Sequence, residues 1–151
     1  MSLFSKKPRE FFNADEQLRI VEAVKEAESH TSGEVRIFVE GKCDYVDPVD
    51  RAMEIFFDLK MHATRDRNAV LFYIAMDDHQ LALFGDEGIY QRLGANFWHQ
   101  EVKDIIGEFT KHDIVGGICK CITDIGHALK EQFPYESDDK NELPDEIIFG
   151  K

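Results

Sequence analysis

Ala69-Val70-Leu71-Phe72-Tyr73-Ile74 is an unbroken apolar run set between Arg67-Asn68 and Asp77-Asp78, and no other stretch constrains the fold as strongly. A strand with one wet face alternates apolar and polar residues, whereas a strand without alternation must be covered on both faces. Even extended to Met76 the run is far short of the roughly 20 apolar residues that cross a bilayer. It is therefore expected to be the central strand of a layered domain. With 151 residues, 43% of them hydrophobic and 11% aromatic, the chain has the material for one such core.

The flanking segments supply the layers. Asn13 followed three residues later by Glu16 resembles a capping box, and Leu18, Val21, Val24 and Ala27 continue at helical spacing. His30-Thr31-Ser32-Gly33 stops that helix, and Glu34 to Glu40 alternates before turning apolar, as a partly buried strand does. Asp47-Pro48 opens a second helix, whose stripe of Val49, Ala52, Met53, Phe56 and Phe57 is expected to pack on the sheet. After the central run, an Asp77-Asp78 link predicts a tight hairpin into a strand over Gln80 to Phe84.

Helices follow over Ile89 to Leu93, Asn96 to Phe109 and Asp113 to Phe133. The second carries Trp98, Val102, Ile105, Ile106 and Phe109, and the last carries Ile114, Ile118, Ile122, Ile125 and Leu129. The order predicts a three-layer α/β/α sandwich, a small mixed sheet flanked by helices, with strands one and two parallel and strand three antiparallel. The chain divides into an N-terminal extension over 1–12, a domain over 13–134 and an acidic tail over 135–151. Residues 134–146 hold six acids against one lysine, and Ile147-Ile148-Phe149 then forms an apolar end that can fray, dock on the body or meet a partner.

A formal charge of −12 repels phosphate backbones and anionic lipids, so neither nucleic acid nor membrane is an expected partner. Cations and basic surfaces are favoured instead. Cys43, Cys119 and Cys121 do not form a disulfide framework or a zinc knuckle. Met1 to Phe12 lacks the apolar stretch of an export signal, which leads to the expectation of a cytoplasmic, reduced protein. None of the six histidines falls in a tight zinc-ligand spacing, and His112 with Asp113 reads as a cap for the last helix. Gly116-Gly117 reads as a close-packing pair within it. Neither Thr31 nor Ser32 has an adjacent base to activate it, so no catalytic residue can be named.

The inferred topology collects Thr31, Ser32, Glu34, Arg67, Asn68, Asp86 and Glu87 at one sheet end. Asp77, Asp78 and Asp47 lie at the other. Hard cations such as calcium and magnesium need several oxygen ligands, so Glu34, Asp86 and Glu87 form one candidate set and Asp77 with Asp78 a second. Thr31, Ser32, Arg67 and Asn68 are candidate contacts for phosphate or another ligand.

Taken in order, Thr31-Ser32-Gly33-Glu34-Val35-Arg36, Arg67-Asn68-Ala69-Val70-Leu71, Asp77-Asp78-His79-Gln80 and Gly85-Asp86-Glu87-Gly88-Ile89 resemble the TPM domain family, which also contains the thylakoid lumen phosphatase-like proteins. The likeness runs from about Asn13 to Phe133, and Asn141 to Ile147 is similar to the ending of small stand-alone bacterial members. It implies an α/β/α sandwich, acidic loops that bind calcium or related ions in some members, and a weak acid phosphatase activity claimed for the plant branch. The family's arginine-type hairpin position is His79 here, and the export signal and membrane anchor of many members have no counterpart.

Two functions are therefore expected. One is a divalent-cation-binding domain with an interaction or regulatory role, with the tail as a contact for a protein partner. The alternative is a metal-assisted phosphomonoesterase in which Asp86, Glu87 and Glu34 hold the cation and Arg67 adds positive charge.

Overall fold

The computed structural model describes residues 11–110, 113–135 and 145–150. Most of the N-terminal extension, the side chain of Phe109, His112 and residues 136–144 of the acidic tail lie outside the described residues.

The capping box forms as the sequence predicts. Asn13 Oδ1 accepts from the Glu16 amide at 2.8 Å, and the Asn13 amide donates to Glu16 Oε1 at 2.9 Å, which fixes the start of α1 (Ala14–Glu28). β1 (Glu34–Glu40), α2 (Pro48–Asp58), β2 (Ala69–Ala75) and β3 (Gln80–Gly85) follow, then α3 (Glu87–Leu93), α4 (Ala95–Thr110) and α5 (Ile114–Gln132). A two-residue strand, β4 (Ile148–Phe149), completes a sheet of order β3-β2-β1-β4. β1 and β2 are parallel, with Glu34 opposite Ala69, while β2 and β3 are antiparallel.

Every residue of β2 is buried, because helices cover both of its faces. Val70, Phe72 and Ile74 join Val35, Ile37, Val39, Leu81 and Leu83 beneath the α1 and α5 layer. Leu71 and Tyr73 turn the other way, onto Ala52, Ile55 and Phe56 of α2. One helix therefore covers one face and several cover the other. α1 and α5 approach closely: a Cβ on Gly126 would sit 2.7 Å from the Ala27 Cβ.

Four expectations need correction. α2 is rotated from the expected stripe: Ala52, Ile55 and Phe56 are buried, while Val49, Met53 and Phe57 stay exposed. Its sheet neighbours Leu71, Tyr73 and Ala82 are met by the 52/55/56 edge, leaving Val49 and Met53 turned outward and Phe57 at the margin against Phe84 and His62. Likewise α1 turns Ile20 inward with Val24 and Ala27 and leaves Leu18 exposed, and Ile106 of α4 faces out. The hairpin is not a two-residue link: Ala75 pairs with Gln80, so Met76–His79 form the turn. His79 takes φ +51, which closes a four-residue loop that two aspartates without positive φ could not close alone.

The apolar end of the chain docks. Ile148 and Phe149 run parallel to Phe38 and Val39, and the Gly150 amide donates to Val39 O at 2.7 Å, covering an otherwise open edge of β1.

Candidate functional site

The sheet end formed by the starts of β1 and β2 and the end of β3 gathers the residues expected there, but it binds most of them to each other. Thr31 is buried, and its hydroxyl lies against the carbonyls of Leu129, at 3.1 Å, and Phe133 while accepting from the Gly33 amide at 3.0 Å. It fastens the α1–β1 turn to the end of α5. Ser32 Oγ donates to Asp66 Oδ2 at 3.3 Å and accepts from Asn68 Nδ2 at 3.2 Å. Asn68 is 1% exposed, and its Oδ1 has no hydrogen-bond partner among the described residues.

Arg67 adopts φ +51, a left-handed conformation that costs a branched or long side chain about 1 kcal/mol or more. The turn aims its guanidinium at the buried Asp86, with Nε to Oδ2 at 2.6 Å and Nη2 to Oδ1 at 2.8 Å, and Nη1 lies 3.2 Å from Glu87. Asp86 also caps α3 by accepting from the Glu87 amide at 2.8 Å. A bidentate arginine and a helix N-terminus therefore neutralise Asp86, so the expected Glu34, Asp86 and Glu87 set is not assembled as one open cation site. Glu34 is buried at the start of β1, and Glu87 is exposed on α3.

A different carboxyl group meets Glu34. Glu28, the last residue of α1, turns inward, and its Oε2 accepts from the Val35 amide at 2.7 Å. Burial, then a hydrogen bond with Asp145, push the Glu28 carboxyl up to about 11, and the charge of Glu34 adds to the shift. Glu28 and Asp145 share a hydrogen bond, which needs a proton on the carboxyl pair and pins the segment that leads into β4. Arg36 supplies positive charge within electrostatic reach of Glu146, Glu28 and Glu34, and burial lowers its own proton affinity. Among the described residues, Glu28, Glu34 and Glu146 all act on Arg36. Among the described residues, no group of three or more His, Cys, Asp or Glu side chains already stands in a geometry that holds a metal ion.

At the opposite end, Asp78 Oδ2 accepts from the Cys43 amide at 2.7 Å, so the second candidate set ties the turn to the β1 exit loop, and both Asp77 and Asp78 are exposed. Asp47 caps α2 through the Val49 amide at 2.9 Å. Nearby, the buried Glu40 takes two bonds of 3.0 Å from Arg51 and one of 2.5 Å from the Tyr73 hydroxyl. Burial and Glu40 raise the Tyr73 phenol well above the ordinary range. The Arg51 guanidinium continues to Glu54 at 2.5 Å, and Glu54 accepts from Tyr45. This network is closed on itself and holds the crossover loop down.

The fold and its motifs bear directly on kinship. The TPM domain family matches residues 6–128, most of the chain. This chain belongs to the TPM domain family. The NMR structure of the BA42 protein from the psychrophilic bacterium Bizionia argentinensis is similar at a TM-score of 0.86 and 38% identity, covering 95% of this chain and 99% of that one. The solution NMR structure of the N-terminal domain of the cg2496 protein from Corynebacterium glutamicum shares the fold alone, with a TM-score of 0.64 at 10% identity over 93% of this TPM chain and 96% of that one. No curated protein matches the chain. Among the described residues, no helix of this TPM domain is long and apolar enough to cross a membrane.

Glu28, Asp145 and the Glu40–Arg51–Tyr73 network are the residues that sequence reasoning missed. A signal existed for Glu28: it lies at i+8 from Ile20 and i+4 from Val24, in register with buried positions of α1. Asp145 gave no comparable sign, since it is one acid among six in the tail.

Proposed function

We propose that this TPM domain is a divalent-cation-binding interaction module, with calcium or magnesium drawn to Glu28, Glu34 and Asp145. The supporting observation is the Glu28–Asp145 carboxyl pair, held together with Glu34 beside it and Arg36 within electrostatic reach. Carboxyls forced together require a positive partner, which is a proton when no ion is bound and a hard cation when one is. The cation would displace the shared proton and recruit Glu34. Because Asp145 precedes β4, occupancy would tighten the docked C-terminal segment, giving the ion a regulatory role over whatever that segment contacts. Phosphoryl transfer has less support, since the Arg67 guanidinium that would meet a phosphate faces Asp86 and Glu87.

Calorimetric and NMR titration with calcium and magnesium tests the proposal. Saturable heat is expected at neutral pH, with proton release and shift changes at Glu28, Val35 and Asp145, all lost in Glu28→Gln and retained in Asp77→Asn with Asp78→Asn. Loss in the second variant alone would move the ion to the hairpin end. No heat, no thermal shift and no localised change at millimolar ion would remove cation binding altogether.

A further inference from the structure

α2 carries two parallel ridges that the fold leaves largely open, with Phe57 alone edging onto the rings of Phe84 and His62. Val49, Met53 and Phe57 are 44%, 42% and 44% exposed, and Val46, just before the helix, is fully so. Spaced four residues apart, the three helical positions form one continuous i+4n ridge of about 12 Å. Beside it run Asp50, Glu54 and Asp58, again four apart and all exposed. Glu54 is bound to Arg51 and Tyr45, whereas the Asp50 and Asp58 carboxylates have no ion-pair or hydrogen-bond partner among the described residues. Arg51, the one basic residue of the helix, is turned to Glu40 and Glu54, and Lys60 lies just beyond the helix end.

An apolar ridge alone would not say what covers it, but the acid ridge does. We infer that α2 is a docking face for a basic amphipathic helix of another protein. Its apolar stripe would lie along Val49, Met53 and Phe57, and its Lys or Arg side chains would meet Asp50 and Asp58. Helices lay apolar anchors into grooves at the same four-residue spacing, and an unbranched methionine at the centre adapts to the partner's side chains. A second copy is a poor occupant, because each chain carries a formal charge of −12 and a two-fold α2 contact would bring acid ridges together. This face is separate from Glu28 and Asp145 and stands or falls independently of cation binding.

The test uses the full chain, labelled with 15N, and a synthetic helical peptide of leucine and lysine with leucines on one stripe. Controls are a permuted peptide of the same composition and one with glutamate for lysine. Saturable shift changes confined to residues 46–58 are expected, weakened at least roughly tenfold by Met53→Asp. Asp50→Asn with Asp58→Asn should weaken binding several-fold at low salt and little at high salt. Val49→Ser, a milder change, should weaken it in the same direction, and each variant's own spectrum reports whether it is folded. Equal binding of the permuted peptide, or shifts spread over the acidic surface, overturns the inference. So does a dimer of the chain alone, seen by sedimentation and lost in Met53→Asp, because the ridge is then occupied by a second copy.

Discussion

Replacing Glu28 by glutamine isolates the paired carboxyl at the end of α1. Glutamine keeps the oxygen that accepts from Val35 and supplies an N–H toward Asp145, so it imitates protonated Glu28 while removing its ionisation. In the folded chain burial and the bond with Asp145 push the Glu28 carboxyl up to about 11, whereas an unfolded glutamate releases its proton near its ordinary value of 4.5. The folded pKa is raised, so the stabilisation is fully present below about 4.5 and is lost as pH rises toward 11. Within that window folding takes up one proton, and each pH unit lowers stability by about 1.4 kcal/mol. Between pH 6 and pH 8 the wild type should lose roughly 3 kcal/mol more than Glu28→Gln. Urea unfolding at several pH values without divalent ions, followed through the buried Trp98, measures both slopes. Titrating groups not coupled to Glu28 are common to the two proteins and cancel in the difference. Parallel slopes would refute the shared proton, as would a variant less stable than wild type by the same amount at every pH.

Three further outcomes are expected. Deleting residues 145–151 removes Asp145 and uncovers the β1 edge, so the pH slope should flatten toward that of Glu28→Gln, and hydrogen exchange at the Phe38–Val39 edge should accelerate while the core of β2 stays protected. Gly88→Ala places a Cβ 2.3 Å from the Asp66 carbonyl and 2.6 Å from that of Arg67, both backbone atoms that cannot yield cheaply, so thermal denaturation should report a loss of roughly 1–3 kcal/mol or more. Glu101, pushed up to about 7 by burial and then by Asp124, should titrate near neutrality by carboxyl 13C NMR; its contribution to stability is lost as pH rises from about 4.5 through 7, a slope that Glu101→Gln should remove.

The sequence by itself determined the elements from α1 to α5 and their order, but not that Ile148–Phe149 adds a strand. The unbroken apolar run of β2 demanded two covering layers, Asn13 with Glu16 and Asp47 with Pro48 set helix starts, and apolar spacing identified the helices. Those signals are local: each depends on residues within about four positions of one another, and the chain carries them before it folds. Even the gathering of Thr31, Ser32, Glu34, Arg67, Asn68 and Asp86 at one sheet end followed from strand direction alone. Tertiary structure decided which carboxylates were already neutralised. Arg67 reaches Asp86 because its backbone turns left-handed, and Glu28 meets Asp145 because β4 docks more than a hundred positions away in sequence. It also decided which side of α2 faces the sheet, since adjacent ridges of one helix are similarly apolar and only the shape of β2 and β3 beneath selects between them. Charge partners and helix rotation depend on groups brought together by long-range packing, and no local pattern encodes those distances.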